Sequence, residues 1–416
     1  MPMLRFAHLA DLHLDTPFRG IAGINAELQA ALVDASLKAW DNAVDICLRD
    51  PPVDFVLIAG DVYEHDEASV RAQLRFLRGL ERLSEAGVPT FIVHGNHDPQ
   101  GGRWSAIRAW PQLVTVFGHD GVDMKKVEKG GEPIALVHGM SYPERNVRDN
   151  LAARFSRSDT ALYQIALLHA NVGDQPEHGR YAPCSLEDLR RSGMDYWALG
   201  HVHARQTIST AQPTVVYPGN LQARHPGEEG SKGFYIVEVE PGGTPQLAFQ
   251  AVDVWRYATI RLDLGHESVQ SVDEVTSLLT KAAHARKGDR GLLATAEVVG
   301  RTGLHSDLRR RGMGEDLLRT LRDEAQADIW WNEVKLATRS PLDRVERMEA
   351  GDFVADLLRR SESGRAAATT KITALLDALG VAVREIDTAA LVTSAEEIWD
   401  EAEQLAFDLV DREDER

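Results

Sequence analysis

Cysteine is nearly absent from this chain of 416 residues: Cys47 and Cys184 are its only two. Two thiols make no disulfide framework, and each reads as a small buried hydrophobe. Aromatic residues make up only 6% of the chain. No apolar run approaches the ~18 residues that suggest a membrane span. The opening Met1-Pro2-Met3-Leu4-Arg5 lacks the basic and apolar regions of a secretory signal, so a cytoplasmic location is expected. Internal repeats and low-complexity segments are also missing, and the ordinary 43% hydrophobic and 26% charged content excludes disorder and collagen-like repetition.

Positive charge is in deficit. Lys and Arg number 46 against 64 Asp and Glu, a net charge of −18. Phosphate-binding surfaces are basic, so this total argues against a nucleic-acid partner. Its distribution weakens that argument, because −8 of it falls in the last 24 residues and residues 256–392 come to only −1. Much of the acid is a tail. With 43% hydrophobic residues, the length suits two or three domains with a substantial core.

Residues 1–255 alternate short apolar strands with helical stretches, the pattern of α/β architecture. Strands are expected at Leu4–Ala10, Val53–Ala59, Val88–His94, Ile134–His138, Tyr163–Leu168 and Tyr196–Leu199. Further strands are expected at Thr214–Tyr217, Phe234–Val239 and Leu247–Val252, with helices at Ala26–Leu48 and Ala68–Ala86. Residues 256–342 read as a smaller β-α-β-α-β unit ending near Ser340-Pro341, and residues 343–416 as mostly helical. In that last region Ser394 and Glu397 have capping-box spacing, followed by the stripe Ile398, Ala402, Leu405 and Leu409.

Five of the strands end alike. They run into Asp11-Leu12-His13, Gly60-Asp61-Val62-Tyr63-Glu64, Gly95-Asn96-His97-Asp98, His169-Ala170-Asn171 and Gly200-His201-Val202-His203. Ligands of open α/β sheets bind beyond the carboxyl ends of the strands, so these loops are expected to converge. The i, i+2 spacing of Asp11/His13 and His201/His203 sends both side chains to one side of an extended segment. Glycines before Asp61, Asn96 and His201 would let the backbone turn sharply. Two carboxylates, one amide and four imidazoles are too many ligands for one tetrahedral zinc. They suit two divalent metals sharing a carboxylate, and mixed N/O ligation fits Mn, Fe or Zn. Each motif is weak alone; five in order at strand ends are a strong signal. His8, His65, His94, His138 and His225 are read as structural.

These ordered motifs resemble the calcineurin-like metallophosphoesterase superfamily and, within it, the SbcD/YhaO type of bacterial DNA-repair nuclease. Further likeness lies in Tyr217-Pro218-Gly219-Asn220-Leu221 and Gly300-Arg301-Thr302-Gly303-Leu304-His305. The resemblance implies a four-layer αββα sandwich with a smaller α/β cap and C-terminal helices. It implies two metals, manganese foremost, one held by Asp11, His13, Asp61 and His203 and the other by Asp61, Asn96, His169 and His201. His97 would face the substrate. Position 64 departs from the pattern: some nucleases of this kind have His or Asp there, whereas Glu64 keeps a carboxylate with a different reach, and no role is assigned to it.

The chemistry then expected is hydrolysis of a DNA phosphodiester, exonucleolytic or endonucleolytic. A metal-bound hydroxide attacks phosphorus in line while both cations neutralise the oxygens. A cationic His97 protonates the leaving alkoxide. Asp98 either orients His97 or stabilises its own turn. Arg301 with Arg309-Arg310-Arg311 is the candidate DNA contact of the second region. Arg71, Arg75, Arg78 and Arg82 share a helix face that reads as a solvated surface paired with Glu67, Glu81 and Glu85. Of Trp330 and Trp331, adjacent in a strand, at most one faces the core. The resemblance also implies an SbcC-type coiled-coil ATPase docked on the C-terminal helices, and a homodimer is a further assembly to expect. Two other functions compete: a phosphoesterase for a small nucleotide or phosphomonoester, and an inactive scaffold of the same fold.

Overall fold

The computed structural model describes residues 3–379 and Trp399, apart from residues 22, 24–25, 65–68, 100–104, 174–180, 266, 342–347 and 350–352. Compactness divides the chain into two units. The first comprises Met1–Thr259, Ala282–Thr295 and Glu324–Asn332, the second Ile260–Lys281, Ala296–Asp323 and Glu333–Arg416.

Two six-stranded sheets build the first unit. Strands β1 (Leu4–Leu9), β2 (Phe55–Ala59), β3 (Thr90–Val93) and β4 (Val114–Val116) run parallel in one sheet. The other sheet contains β5 (Asp123–Lys129), β6 (Glu132–Met140) and β7 (Tyr163–His169). After the two-residue pair β8 (Asn171–Val172) and β9 (Pro183–Cys184), it gains β10 (Tyr196–Gly200), β11 (Gln206–Ser209) and β12 (Thr214–Tyr217). Strands β13 (Gly233–Val239) and β14 (Gln246–Ala251) then return to the first sheet, antiparallel beside β1. The orders are β14-β13-β1-β2-β3-β4 and β11-β12-β10-β7-β6-β5.

Alternation along each strand sends successive side chains to opposite faces and so makes three cores. Phe6, Phe55, Leu57 and Phe91 meet Ile134, Val137, Ile165, Leu167 and Tyr196 between the sheets. On the outer face of the first sheet, Val56, Ile58 and Ile92 pack on Trp40 and Val44 of α2 (Ala35–Cys47) and on Phe76, Leu80 and Leu83 of α3 (Val70–Glu85). On the outer face of the second, Leu168, Trp197 and Val215 pack on Leu151, Phe155 and Leu189, the last from the short helix Leu186–Arg191. The layers are αββα, as expected. Burial on both faces explains why β2 reads as an unbroken apolar run, Phe-Val-Leu-Ile-Ala.

The expected helix Ala26–Leu48 is two helices, α1 (Ala26–Val33) and α2, separated at Asp34. The Arg face of α3 also differs from expectation. Among the described residues Arg71 pairs with Asp34, Arg75 with Asp41 and Arg82 with Asp45, aspartates of α2 and its N-cap, in place of Glu81 and Glu85; Glu67 lies outside the described residues. Cys47 and Cys184 are buried free thiols. Trp331 is buried, whereas Trp330 is partly buried against Leu28, Trp255 and Leu293. Trp255–Asp263, Gly291–Arg301 and Ile329–Arg339 form a three-stranded sheet. A helix spans Phe353–Leu379. The Ser394–Leu409 pattern lies outside the described residues, Trp399 excepted.

Candidate metal centre

All five loops leave the carboxyl ends of parallel strands. The first two continue the β1–β2 pairing past the strands: Asp11 N–H donates to Gly60 O at 3.1 Å, His13 N–H to Asp61 O at 3.0 Å and Leu14 N–H to Val62 O at 2.9 Å. Asp11, His13, Asp61 and His201 have φ of 50°, 40°, 51° and 109°. Left-handed backbone at non-glycine residues costs about 1–3 kcal/mol each and collects at functional sites. Gly60 shares that conformation, with φ of 87°. Gly95 serves a different need: a Cβ there would stand 2.2 Å from Asp61 Oδ1, so its role is close approach.

The imidazoles are fixed from behind. His169 Nδ1 donates to Ala59 O at 2.9 Å, His203 Nδ1 stands 2.6 Å from Glu228 Oε1, and His13 Nδ1 stands 3.1 Å from Glu64 Oε2. Each Nε2 therefore faces the centre. His13 Nε2 and His203 Nε2 are 3.1 Å apart, and His169 Nε2 lies 3.0 Å from Asn96 Oδ1 and 3.3 Å from Asp61 Oδ2. Asp61 Oδ2 is also 3.9 Å from His13 Nε2, so this carboxylate reaches both sides, while its Oδ1 accepts from the N–H of His97 at 2.9 Å. Two sets of ligand atoms lie within 4.8 Å of one another, Asp11/His13/His203 and Asp11/Asp61/His169. His201 donates its backbone N–H to both Asp11 oxygens at 3.1 Å, and its ring stands 5.2 Å from that of His169.

Convergent acceptor atoms in a buried place call for cations. Oxygen and imidazole donors without thiolate fit two divalent ions, and ligand histidines held by carboxylate or carbonyl at the far nitrogen are the usual second layer of such sites. The local electrostatics agree. Burial would push Asp61 up, yet the charge and hydrogen bond of His169, with His13 and His97, hold it well below the usual carboxylate range. His169 rises to about 9, the nearby carboxylates outweighing its burial. Burial lowers His13 and His203.

His97 stands at the edge of this cluster, its Nδ1 3.0 Å from Glu64 Oε1. Burial lowers it, but contact with Glu64 and the charges of Asp61 and Glu64 raise it above the ordinary imidazole value. Among the described residues no bond joins Asp98 to His97. The Asp98 carboxylate accepts the backbone N–H groups of Val62 and Gly95, both at 2.8 Å, which ties the second and third loops together. Glu64 lies between the two rings instead, its Oε2 3.1 Å from His13 Nδ1 and its Oε1 3.0 Å from His97 Nδ1. Arg224 Nη1 donates to the same Glu64 at 2.8 Å.

Sequence reasoning gives no place in the centre to Glu64, Arg224 and Glu228, which the structure brings beside it. Of the three, Glu64 alone carries a signal, its place three residues after Asp61. Asn220, inside the noted Tyr217–Leu221 segment, donates to Glu228 Oε2 at 3.0 Å. Of the candidate DNA contacts, Arg309, Arg310 and Arg311 are exposed just after the short helix His305–Leu308, and Arg301 donates to Ser340 O.

Residues 4–205 match the family model described as calcineurin-like phosphoesterase. Over those residues the chain carries a calcineurin-like phosphoesterase domain. The chain is 41% identical over 258 residues to metallophosphoesterase YhaO of Bacillus subtilis (strain 168), covering 62% of this chain and 63% of that protein. It is 28% identical over 246 residues to DNA double-strand break repair protein Mre11 of Haloferax volcanii, covering 57% and 51%. It is 26% identical over 274 residues to the SbcD component of nuclease SbcCD from Bacillus subtilis (strain 168), covering 58% and 67%. The chain thus spans between about half and two thirds of the length of these relatives. Among the described residues no helix is long and apolar enough to cross a membrane.

Proposed function

We propose that this phosphoesterase hydrolyses phosphodiester bonds of DNA with two divalent metal ions, manganese foremost. The observation that carries the reading is the convergence of Asp11, His13, Asp61, Asn96, His169 and His203 beside a His97 backed by Glu64. Asp11, His13, Asp61 and His203 would hold one ion, and Asp61, Asn96, His169 and His201 the other. Bound there, the pair supplies Lewis-acid activation of water and neutralisation of phosphoryl charge.

The chain's own residues do the rest. Glu64 orients His97 through Nδ1, which leaves Nε2 to hold the proton that the leaving oxygen takes. The raised proton affinity of His97 keeps that proton in place near neutral pH. Glu228 and Ala59 O keep His203 and His169 turned inward. The relatives named as a nuclease component and a break-repair protein support DNA as substrate. We assign residues 256–342 as a cap whose Arg301, Arg309, Arg310 and Arg311 contact DNA, and residues 343–416 as the seat of a coiled-coil ATPase of the SbcC type. Cytoplasmic location and a homodimer complete the proposal.

A second reading, a small-nucleotide phosphoesterase, is favoured by one feature. A cavity of about 440 Å³ lined by His203, Asn220 and Glu228, with Arg205, His225 and Lys232, adjoins the centre. One assay separates the readings. The protein with Mn²⁺ is expected to cleave DNA and a bis-aryl phosphodiester, and His97→Ala to abolish cleavage while bound metal stays. Turnover of nucleotides or monoesters without DNA cleavage would establish the second reading instead. Full metal occupancy without turnover of any phosphoester would make the fold a scaffold.

A further inference from the structure

We propose that Arg224 binds a non-bridging oxygen of the phosphate hydrolysed at the metal centre, as a catalytic residue outside the ligand set; this rests on the phosphoesterase reading above. The floor of the centre is closed to solvent, with Asp11 and His169 at 0% exposure. At its edge His97 at 21%, Arg224 at 17%, Glu64 at 14% and the ligand candidate His203 at 13% reach water. A phosphate approaching the ligands would meet these side chains, and Arg224 is the permanent cation among them.

Its attachment leaves the guanidinium available. The backbone is pinned on both sides, with Arg224 N–H donating to Glu228 Oε2 at 2.7 Å and Arg224 O accepting from Arg19 N–H at 2.8 Å. The side chain has one anchor, Nη1 to Glu64 Oε2 at 2.8 Å. Nε is shielded from water and has no hydrogen-bond partner, and no bond engages Nη2 among the described residues. A guanidinium carries five N–H donors, so most of its capacity is unused in a place where unsatisfied donors are costly. The Glu64 that it holds also stands 3.0 Å from His97 Nδ1, so the guanidinium is one side chain away from the proposed general acid at the edge of the cluster. Arginine is the side chain that pairs best with phosphate oxygens through two parallel N–H bonds.

The alternative is a structural Arg224 that only steadies Glu64. The full chain loaded with Mn²⁺ distinguishes the two, using bis(p-nitrophenyl) phosphate for kinetics and inorganic phosphate for calorimetric binding. For a phosphate contact, Arg224→Ala lowers kcat/KM about 100-fold and weakens phosphate about 10-fold with metal content unchanged. Guanidinium ion restores part of the loss, and the loss persists when Arg224→Ala is added to Glu64→Gln. No further loss in the Glu64→Gln background, with phosphate affinity equal to the parent's, would overturn the proposal. If the Ala variant fails to fold, Arg224→Lys decides: weakened phosphate binding supports the contact, and parental affinity overturns it. Failure of the phosphoesterase reading shows separately, as a parent protein that turns over no phosphoester.

Discussion

His13 Nε2 and His203 Nε2 face each other across 3.1 Å, while the opposite nitrogen of each ring stands against a carboxylate, Glu64 and Glu228 respectively. Two inward lone pairs at that distance repel unless a cation lies with them. Binding a divalent ion should therefore stabilise the fold strongly. At a metal concentration 100 times Kd the gain is about 2.7 kcal/mol. Calorimetry with and without Mn²⁺ should show a large rise in Tm, which His203→Ala reduces sharply.

Glu228→Gln should weaken metal binding without emptying the fold. Its carboxylate holds His203 at 2.6 Å and is itself held by Asn220 and by Arg224 N–H. Loss of such a supporting group costs about 10–100-fold in metal affinity. Titration of Mn²⁺ into the metal-free protein measures it, and an affinity within twofold of the parent's would refute the role.

Gly95→Ala should separate the second loop from the third. The added Cβ would meet Asp61 Oδ1 at 2.2 Å and the His169 ring at 2.9 Å, and neither can give way while the centre is formed. The expected result is a folded protein, by circular dichroism, whose bound metal and phosphodiesterase activity are both lost.

His8 should make stability pH-dependent. It is buried between the sheets, with Nδ1 3.0 Å from Tyr196 Oη and Nε2 3.2 Å from Leu199 O, and burial lowers it to about 3. The unfolded chain takes up this proton near pH 6.5 and the folded one near 3. Stability from this group is thus full above pH 6.5 and lost as pH falls toward 3, at about 1.4 kcal/mol per unit. Metal-free denaturation at about pH 7 and about pH 5 should show a smaller decline in His8→Gln than in the parent; equal declines would refute it.

The arginines of α3 should matter little to nucleic acid. Arg75, paired with both oxygens of Asp41, and Arg82, 2.6 Å from Asp45, are satisfied by α2. Arg75→Ala is expected to change stability by less than about 1 kcal/mol, as exposed pairs do, and to leave oligonucleotide affinity within twofold.

Burial explains which parts are legible in the sequence. Strands such as Thr214–Tyr217 and Phe55–Ala59 are buried throughout, so their apolar runs mark them within two residues. The edge strand Asp123–Lys129 leaves no such mark. It buries only Val127 and forms because β6 offers a ladder of backbone partners. Asp11, His13, Asp61, Asn96, His169, His201 and His203 stand out because strand ends announce them. Arg224 and Glu64 meet across 160 residues, and nothing local in either segment encodes that meeting. Adjacency in sequence makes Asp98 look like the partner of His97, but side-chain reach and loop geometry assign that place to Glu64.

The proposed ligands are drawn from both sheets: Asp11, Asp61 and Asn96 follow strands of one, while His169 ends a strand of the other and His201 and His203 follow its β10. A bound ion is then a rivet through the sandwich, clamping at its rim two layers that Phe6 and Tyr196 otherwise join by apolar contact and ring packing. Sliding one sheet against its neighbour by a single residue, about 3.3 Å, would separate donors that now stand about that far apart. Metal retention is thus a direct gauge of sheet-to-sheet alignment, and a substitution buried deep between the layers can empty the centre without touching one of its ligands.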